Sequence, residues 1–491
     1  MNDHIIATVD PRTGEENARY PVRGHAEVTL AVRTANHTQN WWGELDFAQR
    51  RSVLLDWRAE IARRSGDLVD ILRSETGKPA ADANLEVMLA VENLDWAARN
   101  AKLALGRKRL AANWLTRNQH ASVGYLPLGV VGVLGAWNNP VFTPMGSIAY
   151  AMAAGNSVVF IPHQTTTGVG LWLAQSWYRV MPDQPVLQAI TGDDGTAHAL
   201  CQAGVDKIAY AGPAESSRDV ITLCARTLTP VIVEHTGKGS MIVADDANID
   251  AAAEAAVFGA MANSGQNATG IQRCYVADAV FDDFLARTAD RAARLRPGAD
   301  NRASYGPMIN ADQVEVVRAQ VSDALDRGGH AVLGGLESFR DPYVEPIVLA
   351  HVPEDSIAIT GEGIGPVLVV NRVADLADAV TRSNAAGNGI AVTIFTADVG
   401  TAEFVAEQLK VGVVTVNSST AFTGIPALPF GGVGEYGQGH SHGKEGLREF
   451  SRTMSIARRR FRAPVRLSTF DRHPRHLRTA KALFRLRHGR G

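Results

Sequence analysis

The sequence predicts an α/β fold of two domains, each a largely parallel sheet covered by helices. Three observations predict it. The chain has 491 residues, too many for one compact core at about 150 residues per domain. Between about Val130 and Glu234, short apolar strands alternate with stretches of helical period. A second such series begins near Ser240. Parallel neighbours need crossover connections, and crossover helices cover the sheet faces, as in nucleotide-binding domains.

In order along the chain, residues 1–35 read as short strands and turns. Residues from about Ala48 to Leu105 read as helical, with Val53, Trp57 and Ile61 at spacings of four. Ala121–Leu128 alternates and reads as a strand near an edge. Strands are then predicted at Val130–Leu134, Ser157–Ile161, Val186–Ile190, Lys207–Tyr210 and Pro230–Glu234. Helices lie between them, as at Thr165–Tyr178 and Ala214–Arg226. The second series comprises helix 250–262, strand 272–276, helices 279–296 and 311–327, strand 391–395, helix 399–408 and strand 411–416. The two domains join near Glu234–Ser240.

Composition excludes several classes. Hydrophobic residues make up 45% and charged residues 20%, as in globular rather than disordered chains. No run reaches the length of a transmembrane helix, and the start shows no basic region followed by an apolar stretch, so a cytoplasmic protein is expected. Three cysteines, Cys201, Cys224 and Cys274, show neither CxxC nor metal-ligand spacing, so no disulfide framework and no metal site is expected. The net charge of −2 hides an asymmetry. From Arg458 onward there are twelve Lys/Arg and one acid, Asp471, on an otherwise acidic chain. Leu477, Ala480, Leu483, Phe484 and Leu486 lie among these basic residues, compatible with an anionic surface or a neighbouring subunit, or with a solvated tail. Nucleic acid is not an expected partner.

Two generic motifs mislead. Gly432-Val-Gly434-Glu-Tyr-Gly437 matches GxGxxG, but no predicted strand precedes it and no helix begins within it. Gly439-His-Ser441-His-Gly443 matches GxSxG, but no acid and histidine follow in the order a hydrolase of that type needs, so Ser441 reads as a turn residue.

Over roughly 440 residues the ordered segments Trp137-Asn138-Asn139-Pro140, Ala154-Gly155-Asn156, Glu234-His-Thr-Gly237-Lys238, Asn263-Ser-Gly265-Gln266, Gly365-Pro366-Val367, Val416-Asn417 and Pro429-Phe430-Gly431-Gly432 resemble the aldehyde dehydrogenase superfamily. His442-Gly-Lys-Glu-Gly446 with the basic tail is most similar to the succinate-semialdehyde dehydrogenase branch. The resemblance implies an aldehyde dehydrogenase-like fold. A Rossmann-type cofactor domain would span 1–117 and 131–234, and an α/β catalytic domain 235–430. An oligomerisation arm would take 118–130 and 446–459, leaving a basic tail at 460–491. It implies a homodimer or homotetramer acting on a small-molecule aldehyde with NAD or NADP. In the family a cysteine thiolate attacks the aldehyde, an asparagine amide and a backbone N–H hold the oxyanion, hydride passes to the nicotinamide, and a glutamate activates water.

Carried over by position, Asn138 matches the oxyanion asparagine, Glu234 the general base and Glu362 the nicotinamide-ribose glutamate, with Trp137 and Gly212 on the cofactor side. The departures cluster. Ala268 stands at the nucleophile position, and a methyl group cannot add to a carbonyl. Thr269 is an unactivated hydroxyl, and Cys274 falls inside a predicted strand. Ile161 replaces the ribose-binding lysine and Gln164 its acidic partner. Pro213 offers no N–H to a phosphate, and Ser217 replaces a glycine in the same turn. His235 and Thr236 replace a Leu-Gly pair, and Ile364 a phenylalanine. The family reaction is NAD(P)-dependent oxidation of an aldehyde to an acid. Here the thiol-dependent step is expected to be lost and dinucleotide binding weakened. The alternative is a non-catalytic member that binds a ligand or regulates an oligomer.

Overall fold

The structure, a computed structural model, describes residues 4–235, 237–300, 302–387, 389–463, 465, 467 and 469–489. Thr236 lies outside the described residues. One compact unit is built from Met1–Ala104 and Pro127–Ser451. It contains two large sheets.

The first has six strands in the spatial order Gly437–Gln438, Val231–His235, Lys207–Gly212, Val130–Leu134, Ser157–Ile161 and Leu187–Ala189. All pairs are parallel except the short edge strand Gly437–Gln438, which runs antiparallel to Val231–His235. The runs VVGVL and SVVFI are buried at every position, which is what strands covered on both faces by helices require. From Val130–Leu134 the chain winds outward to Ser157–Ile161 and Leu187–Ala189, then returns to the other side as Lys207–Gly212. That reversal opens a crevice at the carboxyl ends of Val130–Leu134 and Lys207–Gly212, where ligands bind in open α/β sheets.

The second sheet has seven strands, ordered His330–Leu333, Ile347–Ala350, Val367–Val373, Ile271–Ala277, Gly239–Val243, Ala391–Phe395 and Val413–Val416. Only the His330–Leu333 pairing is antiparallel. Arg273, fully buried in its fourth strand, donates to the carbonyls of Ile359 and Ala386 at 3.0 and 3.3 Å and of Lys238 at 2.7 Å. It therefore satisfies helix-end and strand-end acceptors that no water reaches. Arg273→Met leaves these acceptors without a donor and is expected to lower unfolding free energy by about 2 kcal/mol or more, read from chemical denaturation. An unchanged midpoint would remove this role.

Two sequence expectations are corrected. Residues 1–35 are not only strands and turns. After the hairpin Ile5–Val9/Glu16–Pro21 comes a twenty-residue helix, His25–Glu44. Its buried stripe, Val28, Ala31, Val32, Ala35, Thr38 and Trp42, has helical spacing, and packing of that stripe overrides the low propensity of its β-branched residues. Between 327 and 391, where no element is predicted, lie three strands of the second sheet and the helix Leu376–Ala385.

The second unit, Leu105–Leu126 with Arg452–Gly491, holds a three-stranded sheet in the order Ser451–Arg459, Gln119–Pro127, Lys108–Leu110. The helix Pro474–His488 follows, buries Ala480, and leaves Leu477, Leu483, Phe484 and Leu486 exposed. Among the described residues, no helix is long and apolar enough to cross a membrane.

Candidate active site

The sheet reversal places two loops side by side. After Val130–Leu134 the chain runs through Trp137 and Asn138 into the buried helix Phe142–Ala154. After Lys207–Gly212, Pro213 precedes the helix Ala214–Ala225. A third loop comes from the second sheet. Asn263 and Ser264 adopt left-handed φ values of 55° and 57°, followed by Gly265 at 69°. Two consecutive non-glycine residues in that region are strained, and the surroundings hold them there. The Gln266 side chain is buried and saturated. It donates to Asn263 O at 3.0 Å and Pro307 O at 3.2 Å, and accepts from Ile309 N at 2.8 Å. The loop is thereby fixed, and Asn138 Nδ2 donates to Gln266 O at 3.0 Å.

The sequence-predicted residues Asn138, Glu234 and Ala268 are brought together. All three line a pocket of about 1000 Å3 of open space, and all three also line a smaller cavity of about 400 Å3. Trp137, Gly212, Pro213 and Ile364 join them in the smaller one. Ala268 is held by its backbone, its carbonyl accepting from Gly237 N at 3.0 Å. A third cavity, about 750 Å3, lies at the strand ends and is lined by Ile161, Gln164, Asp193, Asp194, Tyr210 and Asp219. Two of its acids come from a helix start, where Asp193 caps Asp194–Gln202 and accepts from Thr196 N at 3.2 Å, and Asp219 comes from the middle of Ala214–Ala225.

Glu234 sits near the end of strand Val231–His235, between Ala211 and Gly437. Burial pushes its carboxyl up to about 7, and a hydrogen bond donated by the Ser441 hydroxyl at 3.2 Å pulls it back. A carboxyl poised there can hold or accept a proton at neutral pH. Its proton affinity is higher folded than unfolded, so the fold loses stability as pH rises from the ordinary carboxyl value through about 7. Glu234→Gln removes that loss. Its stability is expected to exceed that of the wild type at pH 8 by more than at pH 5, and an equal difference at both would show Glu234 is not so perturbed.

Glu362 lines none of these three cavities. Its Oε2 accepts from Ala214 N at 3.2 Å, the first backbone N–H of the helix Ala214–Ala225. Its loop is held by Gln320, whose amide donates to Gly361 O and Glu362 O at 3.3 and 3.0 Å. Gln320 in turn accepts from buried Lys238 at 3.2 Å, a lysine that burial, with neighbouring Arg273, pushes down to about 7.

The cysteines stay outside. Cys201 and Cys224 are buried in the helices Asp194–Gln202 and Ala214–Ala225, and Cys274 is buried in Ile271–Ala277. None lines any of the three cavities. Burial pushes the Cys274 thiol up, away from the reactive thiolate.

Sequence reasoning missed the polar cluster at the pocket wall. Lys78 and Glu86 form an ion pair with side chains 2% and 4% exposed. Lys78 Nζ also donates to Asn139 Oδ1 at 2.9 Å. The other Glu86 oxygen accepts from the N–H groups of Val141 and Phe142 at 2.8 and 3.2 Å. Lys78 and Glu86 are eight positions apart, but their partners Asn139, Val141 and Phe142 lie more than fifty positions on, and no local pattern marks the cluster. Ser441 was legible only as a turn residue. It does bridge Phe430 by paired backbone hydrogen bonds, while its hydroxyl serves Glu234.

A switch-point crevice in a parallel sheet, with a loop of a second α/β sheet closing on it, is the architecture of a nucleotide-binding enzyme. Residues 1–456 match the model of the aldehyde dehydrogenase family, and the chain belongs to that family. It is 30% identical over 462 residues to 4,4'-diapolycopene aldehyde oxidase of Methylomonas sp, covering 94% of this chain and 87% of the relative. It is 28% identical to an NADP(+) succinate-semialdehyde dehydrogenase of Escherichia coli, with 91% and 93% covered. The crystal structure of the NADP-dependent glyceraldehyde-3-phosphate dehydrogenase from Bacillus halodurans C-125, complexed with NADP, superposes with a TM-score of 0.88 at 27% identity. That match covers 93% of this chain and 96% of the other. The aldehyde dehydrogenase-like fold read from the motifs is the fold observed.

Proposed function

We propose that this protein binds a small organic ligand in the pocket of an aldehyde dehydrogenase fold without oxidising an aldehyde through a thiol. The carrying observation is Ala268. It lies where the two central cavities meet, beside Asn138 and Glu234, and none of the three cysteines lines either cavity. Removing a covalent nucleophile costs on the order of 10⁶ in turnover in other enzymes. A thiohemiacetal, and the hydride transfer that starts from it, has no attacking atom here.

The dinucleotide side supports the same reading. Relatives that name a cofactor name NADP, so NAD or NADP is the dinucleotide this chain would bind. Its residues fit that group poorly. The anion-receiving helix start already carries the Glu362 carboxylate, Pro213 has no N–H, and Ile161 presents a hydrocarbon to the strand-end cavity. Asp193, Asp194 and Asp219 add like charge where phosphates would lie near. Weakened binding follows, as does the role of a ligand-binding or regulatory member of a homodimer or homotetramer. The test is purified protein with several aldehydes and either NAD or NADP. No reduced cofactor is expected. Production that thiol alkylation abolishes would overturn the reading.

A further inference from the structure

We propose that the pocket beside Ala268 selects an organic cation, a ligand with an ammonium or quaternary ammonium head, over neutral and anionic ligands of the same size. This rests on the reading that the pocket binds a small organic ligand and adds the ligand's charge class.

The charged side chains lining the pocket are Lys78, Asp82, Glu86 and Glu234. Among the described lining residues the one cation is Lys78, and it is paired with Glu86 and bonded to Asn139. An incoming carboxylate seeking Lys78 would have to break that buried pair, leaving Glu86 held only by the N–H groups of Val141 and Phe142. Two carboxyl groups remain. The Asp82 carboxyl feels Lys78 and the backbone N–H of Asn263, and its solvent-shielded Oδ2 keeps acceptor capacity to spare. Glu234, from the end of the strand Val231–His235, lines the same pocket.

Part of the remaining wall is aromatic. Phe142, Phe258, Phe422 and Phe430 line the pocket, and the Phe422 and Phe430 rings stand 5.7 Å apart at 70°. Ring faces attract cations and repel anions, and an onium head against several rings with a nearby carboxylate is the arrangement that recognises quaternary ammonium groups. Two further cations, Arg291 and Arg294, line an adjoining cavity that shares Asp82, and Arg291 is engaged by Asp250 at 2.7 Å. The succinate semialdehyde named for one relative carries a distal carboxylate, which would have to compete with Glu86 for Lys78.

The test is calorimetric titration of the full-length protein with choline, its uncharged isostere 3,3-dimethylbutan-1-ol, and succinate semialdehyde. Choline is expected to bind about tenfold or more tighter than the isostere, with the anion weakest. Asp82→Asn is expected to weaken choline about tenfold and leave the isostere unchanged. Equal binding of choline and isostere, preference for the anion, or no choline binding overturns the proposal. Binding of the isostere alone would still leave the pocket reading standing. Thiol-dependent oxidation by the wild type would overturn that reading without touching the charge preference. The wild-type comparison needs no variant to fold.

Discussion

Ala268→Cys is expected to restore acyl chemistry without restoring oxidation. The new thiol would stand between Asn138, whose amide is already fixed on Gln266 O at 3.0 Å, and Glu234, whose carboxyl burial pushes up to about 7. A nucleophile, an oxyanion donor and a base would then be together, which suffices for transfer to water of an activated acyl group. Hydrolysis of p-nitrophenyl acetate should rise at least about 10²-fold over the wild type and be abolished by iodoacetamide. Aldehyde plus NAD or NADP should still give no reduced cofactor, because that half depends on a dinucleotide site the substitution does not touch. Reduced-cofactor production by the variant would show the cofactor positions intact. Silence in both assays would show that Asn138 and Glu234 are not placed for catalysis.

The two halves of that expectation were legible to different degrees. The core strands announce themselves, because VVGVL and SVVFI are continuous apolar runs that only a doubly covered sheet buries. The helix His25–Glu44 was hidden by local composition, although its buried stripe has the right period. The alanine at 268 was readable because it interrupts a motif. The Lys78–Glu86 pair, the solvent-shielded Asp82 oxygen and the Ser441–Glu234 bond were not, since each joins segments the sequence keeps apart or leaves without a motif. Contacts of this kind carry the charge of a pocket, so a family resemblance reaches the reaction class sooner than the ligand.

Glu362 separates inheritance from departure most sharply, because the two readings give opposite signs. As a ribose ligand, its loss would loosen dinucleotide binding. In the structure its carboxylate occupies Ala214 N at 3.2 Å, at the positive end of a twelve-residue helix. There it competes with the pyrophosphate that such an end attracts. Glu362→Gln removes the resident charge and should tighten NAD or NADP binding several-fold, up to about tenfold. Ile161→Lys places an ammonium at the cavity that holds Asp193, Asp194 and Asp219, offering a donor to a ribose hydroxyl or 2′-phosphate. With both changes the gain should reach about a hundredfold, bringing a wild-type dissociation constant in the millimolar range toward the micromolar. Fluorescence titration of the four proteins reads this directly. Micromolar binding by the wild type, or loosening by Glu362→Gln, would mean that the helix start remains open to the dinucleotide and that Glu362 turns back to the ribose when it binds.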